Sequence, residues 1–267
     1  MRPQSIIPAL PLQALFKGTD PFKISLTPPK LPERPGSGRM RGMKETIAIA
    51  GGHPDDLVGS LGFALLAKDR FDIHMLDFTR GEVGWSGHGK EETARVRTAE
   101  EESVCAELGA TPHFLGEVDG DAFASREAVA RTAALLRELK PRAIVMHWPL
   151  DSHMDHVMST AATLKAVWTT YADPRKDFPE IYFYEETSQS LYFHPVWYVD
   201  ITSVWDRKVE LMRKYVSQNS GDGIVRNKTE DALFRGNQFW VDKAEAYAPY
   251  IPPRPGSRCI FTEIQTP

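Results

Sequence analysis

Imidazoles and carboxylates stand at close spacing in two short stretches of the chain. The first is His53-Pro54-Asp55-Asp56, which follows an apolar run and two glycines, and the second is His153-Met154-Asp155-His156. Two histidines and one aspartate form a ligand set that a catalytic zinc accepts, with a fourth position open for water. We therefore assign His53, Asp56 and His156 as candidate zinc ligands. Fe2+ or another divalent ion remains an alternative, because such ligands suit several metals.

The other polar residues of these stretches could complete a hydrolytic mechanism. Asp55 lies beside a candidate ligand and could act as the general base that takes a proton from a zinc-bound water. His153 could stabilise an oxyanion as an imidazolium or pass a proton to a leaving amine. Asp155 could form a hydrogen bond to a histidine and fix its tautomer. Together these residues favour hydrolysis of an amide or a similar acyl bond.

Each stretch follows a predicted strand and opens a predicted helix. Residues 45–50 read as a short buried strand of a parallel sheet. Gly51 and Gly52 would let the chain turn at its carboxyl end, and Pro54 fits a first helical turn. Residues 142–147 form the fourth predicted strand, directly before the second stretch. In a doubly wound sheet the first and fourth strands are neighbours, so the two stretches should face each other across the crevice between them.

The remaining pattern predicts one α/β domain with helices on both faces of a mostly parallel sheet. We predict further strands at 71–78, 111–115, 179–184, 195–201 and 258–264. We predict helices after the two polar stretches and at 91–108, 125–140, 206–217 and 227–246. Residues 1–43, with eight prolines, read as an extended arm or a non-native leader before a domain at 44–267.

The composition is that of an ordinary globular protein. Of the 267 residues, 42% are hydrophobic and 25% are charged, and the formal net charge is -4. The absence of a basic block argues against nucleic acid as a partner, and no run approaches the ~20 apolar residues of a membrane-spanning helix. Cys105 and Cys259 form neither a disulfide framework nor a metal-site spacing. This cysteine usage fits a reducing, cytoplasmic setting.

The other histidines have structural interpretations. His74, His113 and His147 lie within or at the ends of predicted strands, where we expect core or edge residues, and His88 and His194 lie in predicted loops. Each polar stretch, taken alone, could also be a solvated turn before a helix, since short motifs match by chance. Their equivalent positions after two strands favour the metal site.

Several motifs resemble those of the LmbE-like, or PIG-L-type, zinc-dependent deacetylases. That family includes de-N-acetylases of N-acetylglucosaminyl-phosphatidylinositol and of N-acetylglucosaminyl precursors of bacillithiol and mycothiol. The resemblance covers most of residues 44–250, and the two histidine-aspartate stretches are its most specific part. The matching pieces are GGHPDD at 51–56, TRGEVG at 79–84, Arg97-x-x-Glu100 with Leu108-Gly109, Asp119-Gly120, Asp151-x-His153-x-Asp155-His156, Asp200-Ile201 with Lys208 and Ser217-Gln218, and AEAY at 244–247.

The resemblance implies a Rossmann-like, three-layer α/β/α fold and roles for several residues. Glu82, Arg97 and Asp119 match positions that approach the sugar in relatives, although a solvated loop, a helix ion pair and a turn explain them equally well. Leu57 replaces the glutamate that usually follows the first motif, which removes an acidic group near the site. The other implied roles are zinc ligation by His53, Asp56 and His156, base catalysis by Asp55, oxyanion stabilisation or acid catalysis by His153, and a supporting position for Asp155.

We therefore predict an enzyme that removes an N-acyl group, with acetyl as the first candidate, from an amino sugar or sugar conjugate. One alternative is the same chemistry on a non-sugar amide, such as an acylated amine or antibiotic. Another is a catalytically inactive Rossmann-type binding module, against which the complete set of histidines and aspartates argues. The expected partner is a small N-acylated molecule, and a homo-oligomer is compatible with the sequence.

Overall fold

The computed structural model describes residues 44–171, 178–186, 188–251 and 259–265, so the predicted arm at 1–43 lies outside it. Within the described residues the chain forms seven strands and seven α-helices. The strands are β1 (Glu45–Gly51), β2 (Phe71–Asp77), β3 (Thr111–Phe114), β4 (Ala143–His147), β5 (Glu180–Tyr184), β6 (Trp197–Asp200) and β7 (Ala244–Pro249). The helices are α1 (Leu61–Ala67), α2 (Lys90–Leu108), α3 (Arg126–Leu139), α4 (Met154–Thr170), α5 (Trp205–Met212), α6 (Gly223–Phe239) and α7 (Ile260–Ile264).

The seven strands form one sheet in the order β3-β2-β1-β4-β5-β7-β6. The pairs β1–β2, β1–β4, β2–β3 and β4–β5 are parallel, whereas β7 runs antiparallel to both β5 and β6. The predicted neighbourhood of the first and fourth strands is therefore confirmed, with Ile49 opposite Val145 in their register. Both strands end at the same edge of the sheet, which brings the two polar stretches together.

The central strands are buried on both faces, because each face carries its own core. In β1, Ile47 and Ile49 pack on one face while Ala48 and Ala50 pack on the other. Helices α1, α2, α5, α6 and α7 contribute to the first core, and α3 and α4 contribute to the second. The predicted three-layer α/β/α fold with a mostly parallel sheet is confirmed.

The helices vary in length, and the longest are α2 with 19 residues and α4 and α6 with 17 each. Ser125 caps α3 as predicted, since its side chain accepts a hydrogen bond from the amide of Ala128. Gly109 ends α2 in the left-handed conformation, with φ 77°. In the described part of the chain, every helix is too short or too polar to cross a membrane.

The predicted helix at 227–246 is wrong at its carboxyl end. Helix α6 stops at Phe239, and Trp240 adopts a left-handed conformation with φ 58°. The following residues, 244–249, form β7 and pair with a strand on each side. Pairing with two neighbouring strands outweighs the helix propensity of the alanines in this segment.

The last predicted strand, at 258–264, is also wrong, because its described part forms the short helix α7. Ile260 and Phe261 are both fully buried in the first core. A strand would send two adjacent side chains to opposite faces, whereas a helical turn can bury both on one side. The ring of Phe261 packs against Phe63 and Tyr247, with centroids 5.4 Å and 4.5 Å away.

Candidate metal-binding active site

The two polar stretches meet at the carboxyl edge of β1 and β4. Gly51 and Gly52 make this approach possible through their size, and neither has the positive φ expected from a glycine turn. A Cβ on Gly51 would lie 2.7 Å from the Cβ of Asp56, and one on Gly52 would lie 3.2 Å from the His156 ring. The predicted role of these glycines in a sharp turn is therefore corrected: they leave space for the side chains of the site.

Asp55 carries the unusual backbone conformation at this turn, with φ 102°. Such values are costly for a residue with a side chain and persist where surrounding contacts enforce them. Arg97 supplies those contacts, because its Nη2 donates to Asp55 Oδ1 and to the carbonyl oxygen of Pro54, both at 2.6 Å. Burial raises the pKa of Asp55 to about 6, although Arg97 works in the opposite direction. A carboxylate with such a pKa suits a general base near neutral pH.

Asp56 uses its two oxygens differently. Oδ2 accepts hydrogen bonds from the amides of Gly52 and His53, at 2.7 Å and 2.8 Å, and from His147 Nε2 at 2.9 Å. Oδ1 accepts no hydrogen bond from any residue that the structure describes, and its neighbour is His156 Nε2 at 3.5 Å. Burial alone would raise the pKa of Asp56, but His156 and His147 hold it well below its usual range. Asp56 is therefore ionised, and one of its oxygens is available to a ligand.

His53 is buried and oriented by two carboxylates. Its Nε2 lies 3.1 Å from Asp119 Oδ1 and 3.2 Å from Asp155 Oδ2, which places the ring proton on Nε2. Its Nδ1 is then the nitrogen that could bind a metal after losing a proton, and it lies 3.5 Å from Asp56 Oδ2. Burial lowers the pKa of His53, but its hydrogen bonds to Asp119 and Asp155 outweigh that effect and raise the pKa well above its usual value.

His156 shows the same arrangement with its nitrogens exchanged. Nδ1 lies 3.4 Å from Asp151 Oδ1, and Nε2 points toward Asp56 Oδ1. Each histidine thus has a carboxylate behind it, hydrogen-bonded at His53 and at ion-pair distance at His156, and such carboxylates increase the basicity of histidines that bind metals. His53 and His156 therefore each direct toward Asp56 the nitrogen that would lose its proton on binding a metal.

The planes of the rings decide which histidines can share one metal, because the lone pair of an imidazole nitrogen lies in its ring plane. The rings of His53 and His156 are tilted by 59°, so their planes intersect nearby. The rings of His147 and His153 stack on His156 at interplanar angles of 4° and 19°, with centroids 3.9 Å and 4.5 Å away. Nearly parallel planes have no common point at bonding distance, so neither ring can join His156 as a ligand of one ion.

His53, Asp56 and His156 each belong to a group of histidine or aspartate side chains that could hold a metal ion, and their joint ligation of one ion stays a prediction. His53 Nδ1 and His156 Nε2 each lie 3.5 Å from an oxygen of Asp56. Tetrahedral zinc with bonds of about 2.1 Å holds its ligand atoms about 3.4 Å apart. The two distances are to different oxygens of Asp56, so it is the donor chemistry and the free Oδ1 that suit a divalent cation, without distinguishing zinc from iron.

His153 lies at the start of α4, beside the proposed ligands. Its Nδ1 accepts a hydrogen bond from the amide of Asp155 at 3.3 Å, so the ring proton is on Nε2. Burial and the neighbouring His53 lower the pKa of His153. The predicted role as an imidazolium is therefore less suited to this ring than that of a neutral donor through Nε2.

The three residues predicted to bind substrate, Glu82, Arg97 and Asp119, all form hydrogen bonds or ion pairs with other residues of the protein. Glu82 accepts hydrogen bonds from the amides of Asp119 and Arg80, at 3.1 Å and 3.3 Å. Asp119 supports His53 and accepts a hydrogen bond from the amide of Val83 at 2.9 Å. Arg97 is buried, and its Nη1 also donates to the Gly81 carbonyl at 3.0 Å. Their contact with substrate remains a prediction.

Two residues of the site were not assigned a role from the sequence. Asp151 lies behind His156. Its position two residues before His153 in the sequence could have predicted that it belongs to the site. His147 ends the apolar strand β4 and resembled a core residue, which its complete burial agrees with. Its bond to Asp56 joins residues 91 positions apart, so no local pattern predicts it.

Known proteins resemble this chain in sequence. Residues 49–167 match the family model described as PIG-L: GlcNAc-PI de-N-acetylase. The 4-oxalmesaconate hydratase of Pseudomonas putida is 26% identical over 212 residues, which cover 73% of this chain and 81% of that protein. The match to the family model includes both histidine-aspartate stretches.

Solved structures share the fold. The conserved protein TT1542 from Thermus thermophilus is 27% identical, with a TM-score of 0.67 over 80% of this chain and 100% of that one. The N,N'-diacetylchitobiose deacetylase from Pyrococcus horikoshii is 23% identical, with a TM-score of 0.66 over 77% of this chain and 83% of that one. Residues 49–167 of this chain therefore match the PIG-L family in sequence, and the solved structures named here have the same fold.

Proposed function

We propose that this protein is a metal-dependent hydrolase that removes an N-acyl group, with acetyl as the first candidate, from an amino sugar or sugar conjugate. The observation that carries the proposal is the convergence of His53, Asp56 and His156 beside Asp55. The family match adds support, since the model is described by a de-N-acetylase. The diacetylchitobiose deacetylase shares the fold, and the substrate in its name agrees with the sugar amide that the sequence resemblance implies.

The residues of the chain would divide the chemistry as follows. A divalent metal held by His53, Asp56 and His156 would supply a Lewis acid that activates water and polarises a carbonyl. Asp55, fixed by Arg97, would accept the proton of the attacking water. His153 would donate a hydrogen bond through Nε2 to the oxygen that becomes negative, and the proton that Asp55 takes from the water would pass to the departing amine.

A second candidate is the addition of water to a carbon-carbon double bond, because the P. putida relative is named a hydratase. The charges around the site weigh against an anionic substrate of the kind its name indicates. Anionic substrates are usually held by arginine or lysine. Arg80 is the only such residue in the loops at 78–89, 115–125, 148–153 and 185–196. These loops carry seven carboxylates: Glu82, Glu117, Asp119, Asp121, Asp151, Glu185 and Glu186.

The test combines metal content, amine release and hydration in wild type and Asp55→Asn. We expect one bound metal in both proteins, amine release from an N-acetylglucosamine conjugate in wild type, and a 10²–10⁴-fold lower kcat in the variant. Chelation should abolish turnover, and added zinc should restore it. Asp121→Asn, an exposed carboxylate beyond β3, is the control and should retain the wild-type rate.

Three results would contradict the proposal. Absence of bound metal after zinc is supplied would remove the mechanism and favour a binding module. Hydration of an unsaturated carboxylate without any amine release would establish the second candidate. Amine release that is unchanged by Asp55→Asn would remove Asp55 as the base.

A further inference from the structure

His147 is a titratable side chain of the site that is completely buried. It is 0% exposed at the end of β4, and its ring stacks on His156 and packs against Tyr184, with centroids 3.9 Å and 4.8 Å away. Its Nε2 lies 2.9 Å from Asp56 Oδ2, while no described residue forms a hydrogen bond to its Nδ1. The mechanism proposed above gives this residue no function.

The acceptor decides where the ring proton of His147 lies. An ionised carboxylate can only accept, so the short contact to Asp56 requires the proton on Nε2. The amide of Gly52 lies 3.3 Å from the same nitrogen, but it donates to Asp56 Oδ2 at the shorter distance of 2.7 Å. His147 is therefore a neutral donor that completes the set of three hydrogen bonds on Oδ2.

This third hydrogen bond has a consequence for the other oxygen of Asp56. A carboxylate held by donors on one oxygen cannot rotate freely, so Oδ1 stays directed toward His156 Nε2, 3.5 Å away. The two backbone donors come from the loop of Asp56 itself, at Gly52 and His53. His147 belongs to a different strand and ties the carboxylate to β4, the strand that leads to the second group of ligands.

We propose that His147 is a positioning residue that holds Asp56 in the orientation needed to bind the metal, without being a ligand itself. This inference rests on the proposed metal-dependent function. His147 cannot share an ion with His156, because their rings are parallel within 4°. Its hydrogen bond from outside the metal shell is the kind of contact that usually changes metal affinity 10- to 100-fold when it is removed.

The test replaces His147 with asparagine or glutamine, whose side-chain amides differ in length. The side-chain nitrogen of Gln can occupy the place of Nε2, whereas that of Asn reaches only the place of Nδ1. We expect the apoprotein of His147→Asn to bind Zn2+ about 10- to 100-fold more weakly than wild type, and His147→Gln to stay within about threefold. Competition with a chromophoric chelator gives the Kd. His113→Asn is the control, since that histidine pairs with His74 on β2 and should leave the Kd unchanged.

Thermal unfolding separates positioning from packing. A purely structural role for His147 would lower the melting temperature of the apoproteins and leave the Zn2+ Kd of His147→Asn unchanged, which would overturn the inference. Loss of zinc in both His147→Asn and His147→Gln would make His147 a ligand and also overturn it. A wild-type protein that binds no zinc would instead refute the proposed function, together with the inference that depends on it.

Discussion

Asp56 and Glu245 are both buried carboxylates, with 7% and 6% of their surface exposed, yet their oxygens are used differently. Glu245 lies in β7, and both of its oxygens are saturated. Its donors are Lys208 Nζ and the Gly62 amide on Oε1, at 2.7 Å each, and the Phe63 amide and Tyr247 hydroxyl on Oε2, at 2.8 Å each. Asp56 has three donors on Oδ2, and within the described chain it has none on Oδ1.

The difference separates a structural carboxylate from one that we propose as a metal ligand. Glu245 accepts hydrogen bonds from amides in the first turn of α1 and forms an ion pair with Lys208. Both its hydrogen-bonding capacity and its charge are therefore satisfied. Around Asp56, carboxylates are in excess: Asp55, Asp119 and Asp155 lie in the same cluster. Arg97 is the only arginine or lysine in the described chain that forms an ion pair with one of them. Buried charge without a partner is costly, and a bound cation would supply the missing charge.

Breaking the pair at Glu245 should have the largest effect on stability. In Lys208→Met, Glu245 stays buried without its counter-charge, and loss of one partner of a buried pair typically costs about 3–5 kcal/mol. We expect that decrease in the free energy of unfolding by urea denaturation, with an unchanged Zn2+ Kd in the folded variant. Arg207→Met on the same helix is the control, because an exposed pair contributes about 0–1 kcal/mol. A weaker Zn2+ Kd in Lys208→Met would show that the two regions are coupled.

Replacing Arg97, which pairs with Asp55 in the carboxylate cluster around Asp56, should have an effect of intermediate size, and this effect should be on the catalytic rate. Arg97→Lys keeps the charge but cannot reach Asp55, Pro54 and Gly81 together, so Asp55 loses its fixed orientation. We expect kcat to fall about 10- to 100-fold at nearly constant KM, because misplaced catalytic groups lower the rate of the chemical step. Arg95→Lys, exposed on the same helix, should behave as wild type. A raised KM with unchanged kcat would favour the direct substrate contact predicted from the sequence.

The sequence predicts the parts of this molecule that depend on local pattern and strand order. The approach of His53 to His156 follows from the adjacency of two parallel strands, each ending in a polar stretch. The bonds of Arg97 to Asp55 and of His147 to Asp56 span 42 and 91 positions, and neither has a local signal. The strand β7 was missed for a related reason, since its pairing with β5 and β6 overrides the preference of its alanines.

Glu101 is an intermediate case between Glu245 and Asp56, because among the described residues it has hydrogen-bond donors but no cationic partner. Tyr215 donates to its Oε2 at 2.7 Å and Cys105 to its Oε1 at 3.3 Å, while the acids Asp77 and Asp55 lie nearby. Burial raises the pKa of Glu101 from 4.5 to about 7. Between these values the folded state holds a proton that the unfolded state has released, so this residue makes stability fall as pH rises from about 4.5 to 7.

The variant Glu101→Gln should remove this pH dependence, because the amide imitates the protonated acid. We would measure the free energy of unfolding in urea at pH 5 and pH 8. Between these pH values, the free energy of unfolding of the variant should rise relative to that of wild type by on the order of 1 kcal/mol. Glu102→Gln, which changes an exposed residue of the same helix, should have the same free energy of unfolding as wild type at both pH values. If the difference between Glu101→Gln and wild type is the same at both pH values, then Glu101 is ionised throughout. Its neutral donors would in that case be sufficient to stabilise a buried carboxylate without the cation that Glu245 has and Asp56 lacks.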